Sequence, residues 1–226
     1  MVSLYSGTPG SGKSLHIAER IYRRIQQRRP IIANFEIKKR GIKKWRWSRK
    51  RKRKKSNFVY VPNYKMDPAL LIQYSKDYFA ETGKKVVEGE ILLVIDEAQI
   101  VFNARSWSQK GRDDWLSFFT QHRKYGFDIV LIAQFDLMID KQIRSLIEYE
   151  YIHRKLSNFG IVGFLMSLFA FGKVFVAVKV WYPLGERVGR EMFIAKKKYY
   201  SIYDTFGDFG SADKIEEKKA PAKAGA

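Results

Sequence analysis

The stretch GTPGSGKS, residues 7–14, decides the fold. Gly7, Gly12, Lys13 and Ser14 satisfy the pattern G-x-x-x-x-G-K-[ST], with Thr8, Pro9, Gly10 and Ser11 in the variable positions. The flanks supply the context that such a loop requires. Ahead of it, VSLYS reads as a buried strand; after it, Leu15, Ala18, Ile21, Tyr22 and Ile25 recur at helical spacing. Glycines let the backbone curl until several N–H groups face one point, and the helix N-terminus adds partial positive charge. Lys13 is then expected to reach the β- and γ-phosphates of ATP, and Ser14 to offer its hydroxyl to Mg2+.

A second segment completes this chemistry. ILLVIDE (91–97) is a continuous apolar run ending in two carboxylates, which suits a central strand buried on both faces. Asp96 at its tip is expected to hold Mg2+ through the water shell, and Glu97 to polarise the attacking water. Gln134 closes another buried strand, FDIVLIAQ (127–134), where an amide beside the phosphates senses the γ-phosphate or orients the water. Phosphoryl transfer also builds charge that an arginine stabilises, often one from a neighbouring subunit. Arg105, Arg123 and Arg144 are the candidates. The structural alternative for each is a salt bridge or a solvated face, and Asp140 with Arg144 forms an i, i+4 pair.

Outward from these motifs, strand and helix alternate. IIANFEI (31–37) and FVYVP (58–62) read as strands. Asp67 and Pro68 mark the cap and first position of a helix whose Leu70, Leu71, Tyr74 and Tyr78 share a face. RDDWLSFFTQHRKYG (112–126) carries acids at its start, bases in its last turn and a terminal glycine, with Trp115, Leu116, Phe119 and His122 on one side. This alternation predicts an α/β fold with a mostly parallel sheet covered on both faces. EYEYIHRKL, KVFVAVKVWY and EMFIAKKKYY add a β-rich C-terminal extension, and the polar residues 207–226 read as a disordered tail.

Composition narrows the partners. The 226 residues carry 43 Lys and Arg against 23 Asp and Glu, a net charge of +20. Such a balance favours polyanions, either nucleic acid or an anionic membrane surface. Thirteen basic residues and no acidic one lie between Lys38 and Lys55, interleaved with Trp45 and Trp47. That mixture suits single-stranded DNA, a membrane interface, or a plain solvated insertion. FGIVGFLMSLFAFG (159–172) is shorter than the roughly 18–20 residues of a membrane helix. It reads as a cover for the sheet or as a patch for a membrane partner. The chain has no cysteine, which excludes a disulfide framework and thiolate zinc and fits the cytosol; MVSLYSG lacks the features of a secretory signal.

The segments YSGTPGSGKSLH, IIANFEI, ILLVIDEAQIVFNARSW, FFTQHRKYGFDIVLIAQFDLMIDKQIRSLIEYEYIHRKLSNFG and YYSIYDTF together carry a resemblance. The chain resembles the zonula occludens toxin domain family, ATPases that assemble and export filamentous phages. It is most similar to members encoded by phages and prophages of Gram-positive bacteria. The toxin name comes from a separate C-terminal segment of one member. The resemblance implies a phosphate-loop ATPase domain over residues 1–206, with an additional strand between the phosphate-loop strand and the acidic-pair strand. It implies ATP hydrolysis driving extrusion of single-stranded phage DNA at the cytoplasmic face of the membrane, by a homo-oligomeric ring for which a hexamer is one form. Lys13, Ser14, Asp96, Glu97 and Gln134 fall on the family's nucleotide motifs. Larger members continue into a membrane span, so attachment here is expected through residues 159–182, the basic stretch, or a membrane-protein partner. An ATP-gated scaffold that does not pump DNA is the alternative function, and a nucleotide or nucleoside kinase the rival enzyme class.

Overall fold

The computed structural model describes residues 1–37, 57–103, 111–155, 174–200 and 202. The basic stretch 38–55, Arg105, the apolar stretch 159–172 and the tail 207–226 lie outside them. In chain order the elements are β1 (Val2–Ser6), α1 (Lys13–Gln26), β2 (Ile31–Ala33), β3 (Phe58–Tyr60), α2 (Pro68–Thr82), β4 (Ile91–Ile95), α3 (Ala98–Val101), α4 (Arg112–Gln121), β5 (Phe127–Ile132), α5 (Lys141–Arg144), β6 (Tyr149–Lys155), β7 (Val174–Trp181), β8 (Glu186–Ile194) and α6 (Lys197–Tyr200). The strands form one sheet in the order β3-β2-β4-β5-β1-β6-β7-β8. The six strands from β3 to β6 in that order run parallel, and β7 and β8 close the sheet antiparallel.

Alternation along the strands divides the core into two layers. Leu4, Ile32, Leu93, Ile95, Ile129 and Leu131 face α2, α4 and α5. Tyr5, Ile31, Ala33, Leu92, Val94, Val130 and Ile132 face α1, which contributes Leu15, Ala18 and Ile21. Every residue of β1, β4 and β5 is buried, the polar Ser3, Ser6 and Asp128 included. β5 lies between β1 and β4, pairing Leu131 with Leu4 on one side and with Ile95 on the other. That is the additional strand expected between the phosphate-loop strand and the acidic-pair strand.

Local signals act as read. The Asp67 carboxylate accepts from Ala69 N–H at 3.1 Å, with Pro68 in the first helical position. Several details differ. β2 stops at Ala33 rather than residue 37, because Asn34 turns its side chain to Asp96. In α2 the row against the core is Leu71, Ser75 and Phe79; Leu70, about 100° away on the helix, is exposed. The last strand starts at Glu186, and Lys197–Tyr200 is a helical turn instead of its end, because Tyr199 packs edge-on against Tyr22 of α1. Among the described residues, no helix is long and apolar enough to cross a membrane.

Candidate nucleotide site

Parallel strands deliver their C-terminal ends to one edge of the sheet, and ligands of open α/β sheets bind there. At this edge the phosphate loop leaves β1, Asp96 and Glu97 leave β4, and Gln134 leaves β5 between them. The loop is tied to β5 at its first residue, since Gly7 N–H donates to Gln134 O at 3.1 Å. The backbone of Gln134 therefore sits beside the loop.

Gly7 and Gly12 hold φ of 137° and 103°, where a side chain is strained. Space forbids one as well. A Cβ on Gly7 would lie 2.7 Å from His153 O, and one on Gly12 would lie 2.6 Å from the Phe175 ring. These glycines serve close approach by β6 and β7 in addition to loop curvature. Lys13 Nζ donates to Gly7 O at 2.5 Å and Thr8 O at 3.2 Å, folding the side chain back over the loop. Burial pushes the Lys13 ammonium below its ordinary value, while the Asp96 and Glu97 charges act in the opposite direction. The lysine and the acidic pair, 83 residues apart or more in sequence, thus share one electrostatic environment.

Asp96 is buried, and its Oδ1 accepts Glu97 N–H at 2.8 Å. Its own peptide is gripped by Asn34, which accepts from Asp96 N–H and donates to Asp96 O, both at 2.8 Å. Asn34 Nδ2 donates also to Asn63 Oδ1 at 2.8 Å. Glu97 occupies the left-handed region at φ 48°, a costly conformation for a residue with a side chain and one that clusters at functional sites. Gln99 Nε2 donates to Glu97 Oε2 and orients the carboxylate. Sequence reasoning missed Asn34, although a polar residue closing an apolar strand was its visible signal.

Ser11 Oγ is buried inside the loop without a hydrogen-bond partner. A buried orphan hydroxyl among turned-in glycines fits a phosphate oxygen as the missing partner. Ser14 in the first turn of α1 and Asp96 at the end of β4 supply hard oxygen donors of the kind Mg2+ takes together with phosphates.

The arginines are placed elsewhere. Arg123 pairs with Glu148 at 2.8 Å and Glu88 at 3.3 Å, beside the N-terminal ammonium, at the opposite edge of the sheet. It does not join the loop of its own chain. Arg144 ends α5, and the expected pair with Asp140 gives way to Arg112, whose guanidinium meets the Asp140 carboxylate at 3.1 Å. Asp140 also caps α5 through Gln142 N–H, which occupies the carboxylate that Arg144 would have used.

The family described as zonular occludens toxin (Zot) matches residues 1–179. The gene 1 protein of Enterobacteria phage M13 is 29% identical over 221 residues, covering 93% of this chain and 60% of that protein; the chain thus spans less than two thirds of its length. The N-terminal domain of zonular occludens toxin from Neisseria meningitidis superposes with a TM-score of 0.53 at 18% identity, over 90% of this chain and 98% of that one. A further solved ATPase domain superposes with a TM-score of 0.55 at 10% identity, over 90% of this chain and 84% of that one. With four fifths of its length matched and an additional strand between its two nucleotide motifs, this chain belongs to the zonular occludens toxin family of phosphate-loop proteins.

Proposed function

We propose that the chain binds ATP with Mg2+ at the loop 7–14 and hydrolyses it to drive filamentous phage assembly, exporting single-stranded DNA. The observation that carries the reading is the convergence of Lys13 with Asp96 and Glu97 at the edge where β1, β5 and β4 end. The loop N–H groups and Lys13 hold the β- and γ-phosphates, and Ser11 Oγ gains the partner it lacks. Ser14 and Asp96 hold Mg2+, which neutralises charge on the phosphate oxygens when bound. Glu97, fixed by its strained backbone and by Gln99, takes the proton of the attacking water; Gln134 orients that water from the central strand. An arginine from a neighbouring copy stabilises the developing charge, and Arg123 or Arg144 serves if a ring brings that edge of one copy to the loop of the next.

In this reading the ring acts at the cytoplasmic face of the host membrane, with a membrane-protein partner. The basic stretch 38–55 is the segment suited to the DNA. The test is the ATPase rate against protein concentration, with and without single-stranded DNA and with Lys13→Ala as control. A rate per molecule that climbs with concentration and with DNA supports a shared-site motor. A slow, DNA-insensitive rate supports the ATP-gated scaffold instead, and no turnover beyond that of Lys13→Ala removes the enzyme altogether.

A further inference from the structure

The peptide joining Ser6 to Gly7 carries the phosphate loop out of β1, and both of its polar atoms are held. Its N–H donates to Gln134 O from the β5 side. Its carbonyl, Ser6 O, lies 3.1 Å from His153 Nδ1 on the β6 side. A carbonyl only accepts, so His153 Nδ1 carries the proton. Burial and the neighbouring His16 push His153 down to about 3, so the ring is neutral and its other nitrogen accepts. The group it faces is His16 Nδ1 at 2.9 Å, which therefore donates. His16 Nε2 faces Glu191 Oε2 of β8 at 3.3 Å. The hydrogen bond from His16 holds the Glu191 carboxyl below the usual range. His16 is stacked between Tyr5 and Phe193, with ring centroids at 4.8 and 4.7 Å, so its plane is fixed.

None of these three residues belongs to the nucleotide site, yet the line Glu191–His16–His153–Ser6 ends on the loop. The backbone of His153 also abuts Gly7. Gly7 O in turn holds Lys13 Nζ, so the orientation of the preceding peptide sets where the ammonium sits.

We propose that His153 is a positioning residue for the phosphate loop: its Nδ1–H fixes the Ser6 carbonyl, and His16 and Glu191 wire that contact to the β7–β8 hairpin. The proposal deepens the nucleotide-site reading and rests on it. In the neutral histidine of unfolded chains the proton resides mainly on Nε2; here the geometry demands the Nδ1–H form.

Two measurements on the full chain test this. In long-range proton–nitrogen NMR of the nucleotide-free protein, His153 is expected as the Nδ1–H tautomer; the Nε2–H form would overturn the proposal without any variant having to fold. His153→Asn keeps an N–H near the Nδ1 position, whereas His153→Gln moves the amide toward the Nε2 position. Affinity for a fluorescent ATP analogue is expected to stay within about threefold of wild type in the Asn variant and to fall about tenfold in the Gln variant, the loss of one aligned hydrogen bond. Wild-type affinity in the Gln variant, or equal losses in both, overturns it. If Lys13→Ala abolishes binding while His153→Gln does not weaken it, only this inference fails; if the wild type binds no analogue, the site reading fails with it.

Discussion

Asn34 and Asp96, at the ends of neighbouring strands, exchange two hydrogen bonds of 2.8 Å, so that a side chain of β2's terminus replaces the ladder that the backbone gives up there. The pairing holds the Asp96 peptide and, through it, the direction of the carboxylate. Asn34→Ala leaves a buried N–H and a buried C=O without their partner, at a cost of about 2–4 kcal/mol. The expected result in denaturant unfolding is a shift of that size, with weaker Mg2+-dependent nucleotide binding. Asn34→Asp, which keeps the acceptor only, is expected between the two.

Glu97 has no counterpart on the loop that could take its place as a base. Glu97→Gln is expected to bind ATP like the wild type and to lower turnover by about 100-fold or more, since the amide cannot take the proton. Equilibrium binding and single-turnover hydrolysis check the two halves separately.

Gly12 packs its α-carbon against Phe175. Gly12→Ala forces the new methyl into the ring and strains the backbone, for an expected loss of about 1–3 kcal/mol. Adding Phe175→Ala relieves the contact but not the strain, so a thermal melt of the double variant is expected to show a smaller combined loss than the sum of the two single ones.

Acid should loosen the edge of the sheet opposite the site. Burial works to raise Glu90, but hydrogen bonds from Lys84 and Tyr78 and the Arg29 charge outweigh it and hold the carboxyl below its ordinary value. In Glu148 burial is likewise outweighed, by Arg123, the N-terminal ammonium and Val2 N–H. A carboxyl depressed on folding stabilises the protein above its unfolded pKa, and that contribution disappears as pH falls through the folded value. Stability is therefore expected to decline below about pH 5, the range in which unfolded glutamates begin to protonate. Glu148→Gln is expected to flatten that decline in a pH series of thermal melts.

Much of this was legible in the chain. The loop, β4 and β5 announce themselves because glycine punctuation and continuous apolar runs are local signals, and the resemblance named the strand that lies between them. Asn34, His153 and Phe175 were not legible, for a physical reason. Asn34 acts on a residue 62 positions away and His153 on one 147 away, and only the strand order makes them neighbours. The arginines raise a different point: Arg123 lies at the edge opposite the loop of its own chain, and a sequence does not say at which edge of a sheet a helix ends. Leu70 shows the smallest version of the same problem, since one residue on a helix is enough to turn a side chain from the core to solvent.

β8 ends the sheet with nine residues and only one neighbour among the described strands. Glu186, Arg187, Arg190 and Glu191 are spread along it, and its pairing with β7 slips between Lys179 and Val180. Exposed Val188, Met192 and Ile194 would otherwise make this border a template for another molecule's strand. Charges and irregular pairing of this kind disfavour edge-to-edge growth, so neutralising Arg187 and Arg190 together is expected to increase self-association, read as larger particles in light scattering with the thermal melt unchanged.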